Sequence, residues 1–156
     1  MKKLIILLSL ISFNAIGAGT SSNTDDSSET SDQIITLYEL AEKHIDNQSY
    51  DKSLKLLKKL TKREDLGTKR ADIYNLLGFS YRKLENPDLD KSFAAYMMAI
   101  EIDPSHLGAH EYLGELYLMR DQKDKAVIIL KKLDQLAGSN TEEYRELKIA
   151  IDKYQS

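Results

Sequence analysis

Two histidines and two glutamates near residue 110 are the side chains whose types and spacing come closest to a reactive site. His106 and His110 are four residues apart, and Glu111 and Glu115 lie close by. On a continuous helix such residues could hold a metal ion. However, His106 follows Pro104 at a junction where the helix is interrupted, and His110 occupies a position expected to face a core. No H-E-x-x-H sequence is present, so we predict no metal site.

The remaining residues offer no other catalytic set. The chain has no cysteine, which excludes disulfides, thiolate metal sites and a cysteine nucleophile. It contains neither G-x-S-x-G nor a phosphate-binding loop. Acidic and basic residues alternate in stretches such as KKLTKRED and DQKDKA, a pattern typical of solvated helix faces. With 22 Lys and Arg against 25 Asp and Glu, the chain lacks the basic excess of a nucleic-acid binder. We predict a protein that is not an enzyme, needs no cofactor and binds no nucleic acid.

The N-terminus has the pattern of an export signal. MKK is followed by the apolar run LIILLSLISF and then by small residues that offer cleavage after Gly17 or Ala18. The run is about ten residues long, against about 20 for a membrane span, so we predict a cleaved signal peptide over 1–17 and a periplasmic location without a membrane span. Secretion, or anchoring by an uncleaved signal, is the alternative. Residues 18–32 are small, polar or acidic, which predicts a disordered leader.

Two glycines lie inside helix-forming sequence in the same local pattern. Gly78 in ADIYNLLGFSY and Gly114 in LGAHEYLGELYL each follow a leucine and precede a tyrosine by three positions. A glycine in a helix interior costs about 1 kcal/mol relative to alanine, so its recurrence indicates a position where a side chain does not fit. Alignment on these glycines gives three units that begin about 36 residues apart, with Ala41 at the equivalent position of the first unit.

These units resemble the tetratricopeptide repeat (TPR) family, whose pattern is W-x2-L-G-x2-Y, A-x3-F and P over 34 residues. The best match is the middle unit, ADIYNLLGFSYRKLENPDLDKSFAAYMMAIEIDP. The resemblance implies an all-α fold, a right-handed α-solenoid of three helix hairpins followed by a C-terminal capping helix. The domain then spans 33–155, with units at about 34–67, 71–106 and 107–140 and the capping helix at 141–155.

The resemblance also implies close contact between the two helices of each hairpin at small residues. We expect Ala41 to face Ser53, Gly78 to face Ser92, and Gly114 to face Ala126. A larger side chain at such a contact typically costs about 1–3 kcal/mol through overpacking.

Local sequence predicts where the helices end. Gly67 and Gly138 are expected to terminate helices, and Ser139 with Glu142 has the spacing of a capping box for the last helix. That helix carries an apolar stripe, expected to cover the end of the stack, at Tyr144, Leu147, Ile151 and Tyr154.

In TPR proteins the first helix of each hairpin lines the concave side of the stack, which we call the groove. We predict that its partner-binding residues are Tyr38, Glu42, Asn75, Phe79, Arg82, Lys83, Glu111, Glu115, Leu118 and Met119. Phe79 and Leu118 are apolar where a solvated helix would be polar, so they are candidate anchors for a bound segment. The alternative is that the capping helix or the leader covers them, or that Phe79 packs between units. The Lys and Asn pairs that clamp a peptide carboxylate in some TPR domains are not reproduced.

Together these features predict a non-catalytic interaction module of the bacterial cell envelope, which binds a segment of another protein in the groove. The alternative is a structural protein that self-associates through its tyrosine-rich faces or its C-terminal helix.

Overall fold

The computed structural model describes residues 26–154, with side chains from residue 31 onward. This part of the chain forms seven helices and no strand, so the predicted all-α class is confirmed. The helices are α1 (Asp26–Asp46), α2 (Tyr50–Leu60), α3 (Lys69–Arg82), α4 (Leu89–Ile102), α5 (Leu107–Met119), α6 (Lys123–Ala137) and α7 (Glu142–Lys153). Helices α1 and α2, α3 and α4, and α5 and α6 pair as three hairpins.

The contacts between hairpins give the stack its curvature. Helix α3 contacts α1 and α5, whereas α2, α4 and α6 do not contact one another within the described residues. The first helices are therefore closer together than the second helices. This arrangement places α1, α3 and α5 on the concave side, where they form the groove, and α2, α4 and α6 on the convex side.

The small residues of the repeat pattern lie in the interior of the stack. Ala41, Ser53, Ser92 and Ala126 are fully buried, and both glycines are buried. In the second hairpin, the Ser92 hydroxyl donates a 2.8 Å hydrogen bond to the carbonyl oxygen of Gly78. A Cβ atom at Gly78 would lie 2.6 Å from the ring of Tyr96 and 3.1 Å from the carbonyl oxygen of Ser92. The close approach of α3 and α4 therefore requires a residue without a side chain.

Gly114 makes its closest approach to a different helix from the one that we predicted. The three atoms nearest to a Cβ at this position all belong to Leu147 of α7, the closest at 2.5 Å, and not to Ala126 of α6. The residue of the third hairpin that corresponds to Tyr96 is Leu130, which is smaller. Because no ring fills the space beside Gly114, the side chain of the last helix reaches it.

Two of the predicted helix ends are wrong. The N-cap of α7 is Thr141, whose hydroxyl accepts a hydrogen bond from the Tyr144 amide at 3.3 Å, so the capping box at Ser139 does not form. Gly138 does end α6, with φ of 80°, but Gly67 lies in the loop after α2 has already ended at Leu60. Both errors arise because several Ser, Thr and Gly residues lie close together, and spacing alone does not select among them.

The first helix begins earlier than the sequence suggested. Helix α1 starts at Asp26, so residues 26–32 of the predicted disordered leader are helical. Extending an existing helix needs only one further hydrogen bond per ordered residue, which favours propagation beyond the packed turns. The predicted signal peptide and the rest of the leader lie outside the described residues. Within those residues, no helix has both the length and the apolar character needed to cross a bilayer.

Candidate protein-binding groove

An aromatic cluster joins all three hairpins at the groove. Phe79 of α3 is partly exposed and lies between Tyr50 of the first hairpin, at 6.2 Å between ring centroids, and Tyr112 of the third, at 5.1 Å. The guanidinium carbon of Arg82 lies 5.6 Å from the centre of the Phe79 ring, and the Lys83 ammonium lies at the same distance. The exposed part of Phe79 is therefore an apolar surface beside the exposed Lys83, which suits an apolar side chain of a partner.

Arg82 fixes the second hairpin to the third beneath this cluster. Its side chain is 5% exposed and forms a 2.6 Å ion pair with Glu115 of α5. Its Nε donates to the Tyr96 hydroxyl at 3.3 Å, and its Nη2 is buried without a hydrogen-bond partner. Arg82 and Glu115 neutralise each other, so they hold the groove in shape instead of presenting free charges.

Carboxylates predominate at the other end of the groove, between α1 and α3. The Tyr38 ring lies under the Lys69 ammonium at 4.6 Å, and Lys69 pairs with Asp72 at 3.4 Å. Burial and the neighbouring carboxylates of Glu42 and Asp72 raise the pKa of Tyr38, so its hydroxyl stays neutral and hydrogen-bonds to Glu42. Burial also raises the pKa of Glu42, and the charges of Asp46 and Asp72 contribute to this rise. This region therefore holds more negative than positive charge.

Asn75 lies on α3 between this acidic end and Phe79. It is 8% exposed, and its Oδ1 has no hydrogen-bond partner. Its Nδ2 lies 3.3 Å from the position of a Cβ on Gly108 of α5. Buried polar atoms are almost always hydrogen-bonded in native proteins, so an unpaired acceptor here is unusual.

Five of the predicted groove residues are buried, namely Tyr38, Asn75, Arg82, Glu111 and Leu118. Glu111 is 1% exposed. Leu118 packs in a cluster with Leu133, Leu147 and Ile151, under α7, so its prediction as an anchor is wrong. The helical period gives the direction of a side chain but not whether another element covers it, and α7 covers this end of α5.

The predicted residues occupy different depths. Tyr38, Asn75 and Arg82 are 6–8% exposed, so they offer little surface to a partner, while Glu42, Phe79 and Glu115 are partly exposed. Lys83 is exposed, and Met119 is 46% exposed.

The histidines that opened the sequence analysis have structural roles. The Nδ1 of His106 accepts from the Ala109 amide at 3.1 Å and so caps α5, while its Nε2 lies 3.2 Å from Asp72. His110 is buried, with Nε2 hydrogen-bonded to the carbonyl oxygen of Pro104 at 3.0 Å. Among residues 31–154, no group of three His, Asp or Glu side chains is arranged to hold a metal ion.

Several residues of the groove were missed from the sequence. Asp72 precedes Asn75 by three residues, and this spacing alone would have placed both on one helix face. Tyr50 and Tyr112 belong to different hairpins from Phe79, and no local pattern indicates that their rings meet.

Comparison with known proteins gives matches among solved structures only; no protein-family model and no curated protein matches the chain. A crystal structure of MamA superposes with a TM-score of 0.63 at 22% identity, covering 76% of this chain and 67% of MamA. The Yersinia enterocolitica type III secretion chaperone SycD, in complex with a peptide of the translocator YopD, gives 0.65 at 19% identity, with 79% and 89% coverage. The first TPR of Spaghetti (RPAP3), bound to the HSP90 peptide SRMEEVD, gives 0.63 at 16% identity, with 76% and 90% coverage.

At these identities the similarity concerns the fold. In each case the superposition covers about three quarters of this chain or more. The chain therefore has the TPR fold that its repeat pattern predicts, with three helix hairpins followed by a seventh helix.

Proposed function

We propose that this protein is a non-catalytic interaction module that binds a segment of another protein in its groove. The observation that carries the proposal is the partly exposed ring of Phe79, which lies beside the exposed Lys83 on the concave face. Two similar structures hold peptides of other proteins, YopD with SycD and an HSP90 peptide with RPAP3. Their folds match this chain, which supports the same kind of use.

The carboxylates at the acidic end of this groove disfavour the binding of acidic segments. The HSP90 peptide SRMEEVD carries three acidic side chains. Glu42 and Asp72 would repel such a sequence, so we do not expect this chain to bind that peptide.

We further propose that the protein acts in the bacterial cell envelope. The proposal rests on the N-terminal sequence, in which two lysines, an apolar run and small residues follow in the order of a cleaved export signal. Cell fractionation, together with mass measurement of the N-terminus, tests it. We expect the protein in the periplasmic fraction with a first residue near Ala18, and an intact Met1 in the cytosol would contradict export.

The groove is tested by variants at two of its partly or largely exposed apolar residues. Phe79→Gln combined with Met119→Glu removes the apolar surface of the groove, and we expect this groove variant to lose the partner in affinity purification from envelope fractions. The matched control is Met97→Glu on the convex side of α4, because Met97 is 43% and Met119 46% exposed.

Circular dichroism should show equal helicity for the wild type and both variants. Partner capture that survives in the groove variant, or that is lost equally in the control, would contradict the proposal. Light scattering over a range of concentrations tests the alternative, self-association. The structure gives that alternative one specific feature, a convex surface on which Ile128 is 63% exposed, and a mass that rises with concentration would favour it.

A further inference from the structure

The convex side of the stack combines positive charge with exposed apolar side chains. Its three helices, α2, α4 and α6, carry nine lysines against five carboxylates, although the whole chain has a net charge of -3. Eight large apolar side chains are exposed in the described part of the chain, and four of them lie on these helices, namely Met97, Met98, Ile102 and Ile128. Apolar residues exposed together on one side of a protein mark an interaction surface.

The lysines form stripes on the two outer helices of this side. Helix α2 carries three exposed lysines at helical spacing, Lys52, Lys55 and Lys59. On α6, the exposed Lys125 and Lys132 lie one turn before and one turn after Ile128, which is 63% exposed. Within residues 31–154, no carboxylate forms a salt bridge with any of these five lysines. Their charges therefore remain available to an anionic partner.

Contacts with tyrosine rings show that this surface is continuous from α2 to α6. Lys58 of α2 and Lys91 of α4 lie over the same ring, that of Tyr81, at 5.1 and 5.6 Å from its centre. Lys125 of α6 and Phe93 of α4 likewise meet at one tyrosine ring of α5, with distances of 5.3 and 6.1 Å to its centre. The side chains of the outer helices therefore adjoin those of α4 and do not form separate patches.

Carboxylates elsewhere in the stack do not cancel this charge. The second helix of each hairpin lies between the convex surface and the first helix, and packed helix axes are about 8–10 Å apart. With the side chains included, this separation exceeds the Debye length of about 8 Å at physiological salt. Helix α4 itself carries one lysine and two carboxylates, and one of these, Asp90, is paired with Arg120. Helix α4 thus supplies apolar surface, and α2 and α6 supply the charge.

An anionic lipid bilayer matches both properties of the convex side. Lipid head groups move to meet lysines at any spacing, and the boundary between head groups and acyl chains takes up exposed apolar side chains. A soluble acidic partner would pair with Lys125 and Lys132, but it would leave the exposed Ile128 between them without apolar surroundings.

We propose that this protein attaches peripherally to anionic membranes through its convex side, with the lysines of α2 and α6 on the lipid head groups and the exposed apolar residues of α4 and α6 inserted among them. The groove then faces away from the bilayer and stays open. The inference therefore goes beyond the proposed function and does not depend on what the groove binds.

Sedimentation with lipid vesicles tests the attachment. The probes are vesicles of phosphatidylglycerol mixed with phosphatidylcholine, compared with vesicles of phosphatidylcholine alone. We expect the purified protein to bind the anionic vesicles only, and to bind them more weakly at about 0.5 M than at about 0.1 M salt, because salt screens the lysines. The absence of binding to the anionic vesicles would overturn the inference.

The lysines are tested by Lys59→Gln combined with Lys132→Gln. Each lysine near an anionic membrane strengthens binding about fivefold, equivalent to about 1 kcal/mol, so we expect this lysine variant to bind about 25-fold more weakly than the wild type. The matched control, Lys43→Gln with Lys153→Gln, removes the same charge from exposed positions on α1 and α7 and should have a much smaller effect. Equal losses in the two variants would show that only the overall charge matters and would overturn the inference.

The apolar contribution is tested by Met98→Gln combined with Ile128→Gln, which should weaken binding to anionic vesicles about tenfold. Both residues are exposed, so circular dichroism should show unchanged helicity. Because all the variants share one N-terminus, differences among them report the convex side alone. If this apolar variant binds vesicles normally but has a lower mass by light scattering than the wild type, the apolar residues serve self-association and the inference is wrong.

Two further measurements separate this inference from its competitors. Binding of soluble polyglutamate in place of vesicles, lost in the lysine variant, would assign the convex side to an acidic protein and overturn membrane attachment. The groove variant, Phe79→Gln with Met119→Glu, should bind anionic vesicles as the wild type does. A failure of vesicle binding therefore leaves the proposed function of the groove standing, and a loss of vesicle binding in the groove variant would contradict the convex assignment.

Discussion

Gly78 and Gly114 occupy equivalent repeat positions but meet neighbours that differ in how easily they move. The Tyr96 ring that lies over Gly78 is fully buried and is held at its hydroxyl by Arg82. Burial raises the pKa of Tyr96 to about 12, although Arg82 acts in the opposite direction, so the hydroxyl is neutral. Gly114, by contrast, meets the terminal methyl groups of Leu147, which move by a change of rotamer.

We therefore expect Gly78→Ala to destabilise the protein more than Gly114→Ala. At Gly78, overpacking of about 1–3 kcal/mol exceeds the gain in helix propensity of about 1 kcal/mol, so the free energy of unfolding should fall by about 1 kcal/mol. At Gly114 the two effects should nearly cancel. Urea denaturation of both variants measures the difference. Equal losses, or a stabilised Gly78→Ala, would contradict this account of the contact.

His110 makes the stability depend on pH. Burial lowers the pKa of His110, an effect that its hydrogen bond to the Pro104 carbonyl partly offsets. An unfolded histidine titrates near pH 6.5, so below that pH the unfolded state binds a proton that the folded state excludes. Stability therefore falls as the pH drops from about 7 through 6.5 towards the lower pKa of the folded state.

The test compares the melting temperatures of the wild type and His110→Phe from pH 7 to pH 5. We expect the melting temperature of the wild type to fall by more than that of His110→Phe over this range. This holds whatever the difference between the two melting temperatures at pH 7. Both proteins should carry Glu42→Gln, because burial raises the pKa of Glu42 and its titration would give the opposite slope. Parallel curves would show that His110 does not cause the decline.

At the scale of elements, α7 completes the third hairpin as well as covering it. Leu147 and Ile151 pack with Leu133 of α6 and Leu118 of α5, and the Tyr154 hydroxyl donates to Asp121 in the turn between these two helices at 2.7 Å. Without α7, this apolar surface would face water. The helix is therefore part of the core and not an appendage to it.

Leu147→Ala should lower the free energy of unfolding by about 3 kcal/mol, because it removes a fully buried side chain and leaves a cavity beside Gly114. Ile149→Ala, on the same helix but 45% exposed, is the matched control and should have a much smaller effect. Chemical denaturation of both variants distinguishes them. If both variants lost a similarly small amount of stability, α7 would be only loosely packed against α5 and α6.

The elements also show what the sequence could and could not predict. The recurring Leu-Gly pattern, through its resemblance to the TPR family, was enough to predict seven helices in three hairpins and a final helix. They were not enough for Glu111 and Leu118, whose burial depends on neighbouring helices. They also failed to select Thr141 over Ser139 as a cap, because both residues have suitable side chains. How deeply a side chain is buried, and which of several similar residues caps a helix, are decided only when the helices have packed together.

Across the whole molecule, charge differs between the two sides of the stack. The second helices α2 and α6 are rich in lysine, whereas α1 is rich in carboxylates and α5 carries two glutamates and no Lys or Arg. The convex lysines include Lys52, Lys55, Lys59, Lys125, Lys131 and Lys132, all exposed. The two central helices do not follow this division, because α3 carries Lys69, Arg70 and Arg82 against Asp72, and α4 carries Asp90 and Glu101 against Lys91.

Among the described residues, the Arg–carboxylate pairs Arg82–Glu115 and Arg120–Asp90 connect the second hairpin to the third, and they differ mainly in exposure. Arg82–Glu115 and Arg120–Asp90 both have a separation of 2.6 Å, but the carboxylate side chains are 25% and 99% exposed. We expect Glu115→Gln to lower the free energy of unfolding by about 2–3 kcal/mol, because it leaves the buried Arg82 charge unneutralised. Asp90→Asn should cause no measurable change, because water already screens that pair. Hydrogen exchange should show the loss of protection in Glu115→Gln concentrated in α5–α7, since the link between hairpins is weakened. Equal stability losses in the two variants would mean that the buried pair does not join the hairpins.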